Sequence, residues 1–342
     1  MIDYEVVARR EAYGSYLKAY PYLPKGHLFS KLVVQLFLKT SGKNWEGVIL
    51  PEDDPLMIIV DGNGYLCNPK LPMDREIPYF AILEEFPLCD NLEVIEEIKT
   101  FAAKTFLALE KAWQLVPGNR RLIDFKVEFG TTKDGELVLA DVIDSDSWRV
   151  LDSEGGHLDK QIYRDGGETD EVLAKYKIAA GLTGLFQVPN QQVILWAGSE
   201  DDDLDSIEKL LSKYVPYGYK VTRNVCSMHK QPVKGIFELN QLVHKIPDSV
   251  IIALIGMSNG AAPIIGANES VPVITVPANY DKTPNDVFSS LHTPSLTPVS
   301  TIISPKNAAL QALKSLSMRN PRIYMELRYA QEKLLTNVLI LE

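Results

Sequence analysis

The chain changes rhythm near residue 190. Before that point, short runs of alternating apolar and polar residues recur: "YEVVARRE", "KLVVQLFLKT", "PLMIIVD", "LIDFKVEFG" and "ELVLADVID". Runs of this kind, rich in β-branched residues and bounded by Gly, Asp and Pro, predict strands. One long stretch breaks the pattern. Over 92–115, Leu92, Ile95, Ile98, Phe101, Ala102, Phe106 and Leu109 recur at helical spacing and predict an amphipathic helix packed on a sheet. A second helix is predicted over 169–186. The first half therefore reads as α+β with an antiparallel sheet.

Beyond residue 190 the pattern becomes a regular exchange of two periods. "QVILWAG", "YKVTRNV", "SVIIALIG", "VPVITVPA" and "VSTIISP" read as strands. Between and after them, "LDSIEKLLSKYV", "GIFELNQLVHKI", "AAPIIGAN", "NDVFSSLH" and "NAALQALKSLSM" read as helices. Strands that are apolar on both faces and alternate with helices predict a parallel, doubly wound α/β sheet. The division expected is a first domain over 1–168, a helical linker over 169–190 and a second domain over 191–342. "VPNQQ" (188–192), with its Pro and amides, marks the linker. The closing "RIYMELRYAQEKLLTNVLILE" predicts a helix that covers the second domain or packs on another subunit.

Composition narrows the function. Hydrophobic content of 46% over 342 residues suits two well-buried domains. A formal charge of −10 argues against nucleic acid, whose phosphates need a basic face, but leaves small phosphorylated ligands open. Cys67, Cys89 and Cys226 are odd in number and lack CxxC spacing, so reduced thiols are expected rather than disulfides or zinc. Charges interrupt the N-terminus where a signal peptide needs an apolar core, and no run approaches the roughly 20 apolar residues of a membrane span. A cytoplasmic protein without membrane attachment is the expectation.

In open α/β sheets, ligands bind beyond the carboxyl ends of the strands. The segments that fall there are "GSEDDD" (198–203), "SMHKQP" (227–232), "GMSNGAAP" (256–263) and "PANYDK" (277–282). His229 thus stands at the expected rim, while His27, His157, His244 and His292 do not. In order and spacing these segments, with "DVFSSLHTPS", resemble aminoimidazole ribonucleotide carboxylase, and Lys230 after the His resembles the animal-type class that takes CO2 directly. The resemblance implies that His229 shuttles the C4 proton of the aminoimidazole, a task for a near-neutral pKa. It implies that Ser199, Asp202, Ser227 and Lys230 hold the ribose phosphate, and that Ser258, Asn259 and Gly260 meet the carboxylate end. It also implies no cofactor for this half, and assembly into a homo-oligomer, an octamer in the family. Four positions depart from the family pattern. Asp201 stands where a phosphate-donating Ser is usual, Met228 replaces a small Ala and is expected to narrow the pocket, Met257 replaces an Arg, and "TPSL" (293–296) loses a Gly.

The first half carries a separate set. "DFKVEFGTTKDGELVLADVIDSDSWR" (124–149) reads as a hairpin turning at Asp134-Gly135. If Lys133 pairs with Glu136, Glu128 lies opposite Asp141, and a cation such as Mg2+ would relieve the like-charge conflict. A solvated hairpin end, or another turn length that breaks the pairing, is the alternative. "DFKVEFG", "LADVIDSDSWR", "LDKQIYRDGG" and "VVARREAYGSYLK" resemble, in their positions, the motifs of SAICAR synthetase, which joins aspartate to a carboxyaminoimidazole ribonucleotide using ATP. The resemblance implies that Arg9, Ser15 and Arg164 contact the substrate phosphate and Asp146 its aminoimidazole, with Glu128 and Asp141 serving Mg-ATP and Lys126 nearby. No GxxxxGK phosphate loop occurs, and "SGK" (41–43) reads as a turn. The family's nucleotide-binding lobe has no counterpart ahead of Arg9. Mg2+ and ATP are therefore expected only if a separately encoded lobe completes the site, and the synthetase half is expected to be inactive alone. Synthetase followed by carboxylase is the order of the animal-type bifunctional purine enzymes.

Overall fold

A computed structural model describes residues 1–39, 44–45, 48–49, 54–60, 63–67, 69, 79–82, 92–164 and 166–335. The expected turn at 41–43 and Cys89 lie outside the described residues. The chain forms two compact units, Met1–Phe186 with Arg328–Glu342, and Gln187–Leu327. Among the described residues, no helix is long and apolar enough to cross a membrane.

The strands of the first unit are β1 (Tyr4–Glu11), β2 (Leu28–Leu38), β3 (Asn44–Trp45), β4 (Val48–Ile49) and β5 (Leu56–Val60). They continue with β6 (Asn63–Cys67), β7 (Tyr79–Ile82), β8 (Arg121–Thr131), β9 (Leu137–Leu139) and β10 (Trp148–Leu151). The main sheet has the order β10-β8-β1-β2-β5-β6-β7, with β9 on β8, and β3 pairs only with β4. Its ladders are antiparallel, as the alternating patterns predict. Helices α1 (Ser15–Ala19), α2 (Leu92–Leu115), α3 (Gln161–Arg164) and α4 (Thr169–Thr183) accompany it.

Helix α2 buries Ile95, Ile98, Ala102, Phe106 and Trp113, a single stripe at three- and four-residue steps. Leu92 and Phe101, expected in that stripe, fall on its flank and are 45% and 39% exposed. Glu110 takes a place in it, buried and bonded at 2.7 Å to Arg10 Nε. Arg10 also donates to Glu332 at 2.9 Å, and the other Glu332 oxygen accepts the Leu32 N–H at 2.7 Å. These charges tolerate burial because each is paired and hydrogen-bonded.

The hairpin after β8 corrects the expected register. Phe129 pairs with Leu139 and Thr131 with Leu137, and the Thr132 N–H donates to Glu136 O. The turn is therefore Lys133-Asp134-Gly135, with Gly135 at φ 87, a three-residue loop that needs a left-handed glycine. One residue more in the turn shifts every pairing, so the Ala140 N–H meets Glu128 O and Asp141 is not opposite Glu128. The like-charge conflict of Glu128 exists elsewhere, with Glu5 on β1. Lysines resolve it: Lys39 pairs with Glu128, and Lys126 Nζ donates to Glu5 at 2.9 Å. The hydrogen bond to Glu128 raises the Lys39 pKa, outweighing partial desolvation.

The second unit is a parallel sheet of β11 (Gln191–Ala197), β12 (Tyr219–Val225), β13 (Asp248–Ile255), β14 (Val273–Pro277) and β15 (Ser300–Thr301). The order is β12-β11-β13-β14-β15. Its helices are α5 (Asp205–Ser212), α6 (Pro232–Lys245), α7 (Ala261–Asn268), α8 (Phe288–Leu291), α9 (Pro305–Ser317) and α10 (Pro321–Glu332), whose last turn counts with the first unit. The alternation of side chains along β11 explains its continuous apolar run. Val193, Leu195 and Ala197 join Ile207, Leu211, Ala312 and Leu316 on one face, while Ile194 and Trp196 join Leu239, Ala262 and Ile265 on the other. Ile323 and Leu327 of α10 complete the first of these cores.

The glutamines of "VPNQQ" are not linker. Gln191 and Gln192 open β11 and are 1% and 2% exposed. Gln192 Nε2 donates to Leu242 O at 2.8 Å and Ser249 Oγ at 2.9 Å, and its Oε1 accepts from Thr222 at 3.1 Å. Gln191 Nε2 reaches Leu316 O at 3.1 Å. Both amides thus add side-chain donors to carbonyls in the last turns of α6 and α9, alongside the backbone N–H groups of Ile246, Arg319 and Asn320. Gln192→Leu keeps the volume but leaves these buried groups without that partner. The expected loss is about 1–3 kcal/mol, seen as a lower urea midpoint at unchanged slope.

Candidate active site

The strand order places a topological switch point between β11 and β13, whose connections leave in opposite directions. Their carboxyl ends are Gly198 and Gly256. Asp202 Oδ2 accepts the N–H groups of Gly198 and Ser199, each at 3.0 Å. A Cβ on Gly256 would overlap Asp202 Oδ1, so this approach is open to glycine alone. Burial raises the Asp202 pKa, and the N–H bonds from Gly198, Ser199 and Gly256 work against that rise. Asn279 Nδ2 donates to Gly256 O at 2.7 Å and ties in the fourth loop. Asp202 therefore holds the crevice in shape, with 9% of its surface exposed.

The His229 turn is anchored on both sides. Cys226 N–H donates to Ala197 O, and Trp196 Nε1 donates to Cys226 O, both at 3.0 Å. Gln231 N–H closes onto Ser227 O at 2.8 Å, the Lys230 N–H meets Ser227 Oγ at 3.3 Å, and Pro232 starts α6. Met228 corrects the sequence expectation. It does not narrow the crevice; it is 1% exposed in the core, where its sulfur lies 2.6 Å from the Cβ position of Gly235. Pinning Met228 inward leaves His229 and Lys230 exposed. Among the described residues, no protein group hydrogen-bonds the His229 ring.

In the third loop, Ser258 is exposed at φ 56, a left-handed conformation that costs a non-glycine residue roughly 1–2 kcal/mol. Asn259 behaves differently from expectation. It is fully buried, its N–H donates to Asp286 Oδ2 at 2.9 Å, its amide donates to Ser290 Oγ at 2.5 Å, and its Oδ1 accepts from Thr275 at 2.6 Å. With every amide group engaged internally, Asn259 positions the loop, and Ser258 and Gly260 remain at its surface. Leu296, at the end of "TPSL", has φ 65 and is 91% exposed, the backbone a glycine would adopt without strain.

The first unit gathers a second polar cluster. Arg9 Nη1 donates to Asp124 at 2.8 Å, its Nε to Gln35 at 2.9 Å and its Nη2 to Ser15 at 3.3 Å. Arg149 pairs with the same Asp124 and lies against Gly14, whose φ of 58 turns the chain toward it. Burial lowers the Arg9 pKa and Asp124 opposes that. Asp146 is separately held by Tyr176 OH at 2.8 Å and Lys160 Nζ at 3.2 Å. The Tyr176 bond is the main cause of its lowered pKa, with Lys160 and the exposed Arg164 adding to it. A cavity of about 490 Å³, lined by Leu109, Ile143, Trp148, Tyr176, Ala180 and Phe186, opens beside it. Glu128 is bound to Lys39, and Asp141 accepts its neighbour's N–H at Val142. Among the described residues no group of three or more His, Cys, Asp or Glu is placed to hold a metal ion.

Residues 192–337 match the AIR carboxylase family model and residues 69–179 the SAICAR synthetase model. A probable multifunctional protein ADE2 of Caenorhabditis elegans is 34% identical over 349 residues, covering 99% of this chain and 75% of the relative. The chain belongs to the bifunctional SAICAR synthetase/AIR carboxylase family of purine biosynthesis. The Homo sapiens bifunctional phosphoribosylaminoimidazole carboxylase/phosphoribosylaminoimidazole succinocarboxamide synthetase is 34% identical over 350 residues, covering 96% of this chain and 73% of its own. A Chloroflexus aurantiacus phosphoribosylaminoimidazole-succinocarboxamide synthase is 35% identical over 191 residues, covering 54% of this chain and 63% of its own.

For this family member, Ser199, Ser227, His229, Lys230, Ser258 and Gly260 lie on loops at one end of the parallel sheet. Asp202 and Asn259 lie there too, as buried supports. The sequence reading missed Asn279, Asp286, Asp124, Arg149 and Tyr176. Asn279 and Asp124 sat inside segments already singled out, whereas Tyr176 lies on a helix with nothing to distinguish it. Tyr176→Phe is expected to raise the Asp146 pKa toward the ordinary carboxylate value, read by carbon NMR titration. Since folding lowers that pKa, its stabilising contribution is present above the unfolded value and lost as pH falls through the folded one. The variant therefore loses part of this acid-side dependence.

Proposed function

We propose that the second unit adds CO2 to the aminoimidazole ring of a ribonucleotide-like substrate, with His229 as the acid–base. The supporting observation is His229 exposed on an anchored turn, beside a switch point where the end of β13 admits only glycine. In this reading the electron-rich C4 attacks CO2, a C–C bond forms, and the C4 proton passes to the imidazole. A rigid turn suits the task because proton transfer requires the base within hydrogen-bond reach of one carbon-bound proton. Lys230 and the hydroxyls of Ser199, Ser227 and Ser258 are the groups offered to the substrate's polar ends. Relatives of this chain carry names for the same pair of activities.

A second reading concerns the first unit. Arg9, Ser15, Asp124 and Arg149 form an assembled cluster suited to an anionic substrate, while Glu128 is taken up by Lys39 and is not paired with Asp141. This favours a synthetase half that ligates nothing alone and gains activity, with Mg2+ and ATP, on addition of a separate nucleotide-binding lobe. Assembly into an octamer in the cytoplasm accords with the proposal and is tested by light scattering of the purified chain.

Purified protein incubated with aminoimidazole ribonucleotide and bicarbonate is expected to yield the carboxylated product; a folded preparation that yields none sinks the reading. His229→Asn is expected to lower kcat by about 10²–10⁴-fold, the usual contribution of an acid–base group. Its thermal unfolding should be unchanged, because the side chain is exposed.

A further inference from the structure

The loops of the rim leave strands of unequal support. β11 is flanked by β12 and β13, whereas β12 ends the sheet order and pairs with β11. Their parallel ladder runs to Ala197 and Val225, and one more backbone bond extends it, from the Cys226 N–H to Ala197 O. The next backbone group, Cys226 O, is held instead by a side chain, the indole N–H of Trp196, at 3.0 Å. Trp196 is fully buried and Cys226 is 3% exposed, so water does not compete for this bond. Beyond it, the sulfurs of Cys226 and Met228 lie 3.5 and 2.6 Å from the Cβ position of Gly235 on α6. Among the described residues the His229 ring has no hydrogen-bond partner, so the imidazole stands where the backbone of this turn puts it.

Resting on the carboxylase reading, we propose that Trp196 is the positioning residue for His229. Its indole ties the start of the histidine turn to β11, the strand from which the Gly198–Asp202 turn departs. The base and the facing rim are thereby held in one register by a bond that the ladder does not supply. Trp196 touches no reacting atom and acts through Cys226 O. Rate depends on that bond because a carbon-bound proton passes to imidazole only within hydrogen-bond reach, and a displacement of about 1 Å costs about a hundredfold. Ile194 lies two residues earlier on the same face of β11 and in the same core, but its aliphatic side chain offers the turn no donor.

The test is Trp196→Phe, which keeps a buried ring without the N–H, beside Ile194→Val, which trims the same core and leaves the indole in place. Carboxylation of aminoimidazole ribonucleotide with bicarbonate is measured where both variants are folded, together with amide hydrogen exchange. Trp196→Phe is expected to lower kcat about tenfold while KM changes by less than about twofold. It is also expected to speed exchange of the Cys226, Lys230 and Gln231 amides about tenfold, because the turn they close is no longer tied to β11. Ile194→Val is expected to leave kcat and these exchange rates near wild type while lowering the thermal midpoint. In the wild type, the Trp196 indole proton is expected to exchange as slowly as the β11 amides, a readout that needs no variant to fold. Rapid indole exchange, unchanged exchange of the turn, unchanged kcat, or an equal fall of kcat in Ile194→Val each overturns the assignment and leaves the carboxylase reading standing. A folded wild-type protein that carboxylates nothing defeats that reading instead, and exchange of the turn then decides alone whether Trp196 holds it.

Discussion

The candidate site depends on one carboxylate, that of Asp202, bridging the ends of two adjacent parallel strands. One of its oxygens gathers the N–H groups that follow β11, and the other lies against Gly256 at the end of β13. The bridge demands glycine where the second strand ends, because any Cβ would overlap the carboxylate. It also demands a buried carboxylate, whose desolvation raises its pKa and is only partly opposed by the converging N–H dipoles. The crevice at the switch point exists because these requirements are met together. Asn279 then carries the constraint onward to the next loop through Gly256 O.

Around that bridge, exposure is assigned by what is nailed down beside it. Met228 is buried against Gly235, so His229 next to it is left at the surface. Asn259 is drawn into a network with Thr275, Ser290 and Asp286, so Ser258 is left exposed and strained. Each outward residue is oriented by an inward neighbour, the usual way rigid elements hold functional groups on loops. This division separates residues left exposed on the loops from those that only hold the loops in place.

The first unit follows a related electrostatic rule. Asp124 serves two arginines and Glu332 serves two more, so these buried carboxylates are matched. The Glu5–Glu128 opposition is relieved by lysines and not by a cation. A one-residue difference in turn length separates that arrangement from the one the sequence suggested.

The sequence by itself determined the architecture and the segments that form the candidate sites. Period-two runs and continuous apolar runs are a contrast any window of residues displays, and they separated the antiparallel sheet from the parallel one. Motif order likewise located Arg9, Asp146 and His229. What sequence left undecided was direction and register. Gln191 and Gln192 looked like linker amides because a polar side chain announces solvent until buried helix-end carbonyls are brought to it. Met228 and Asn259 looked like site residues because adjacency in sequence says nothing of which side chain turns inward. The Glu128–Asp141 pairing failed because turn length is set by the φ of Gly135, which the dipeptide alone does not specify. Those choices rest on contacts between residues far apart in the chain, and only the tertiary structure makes them.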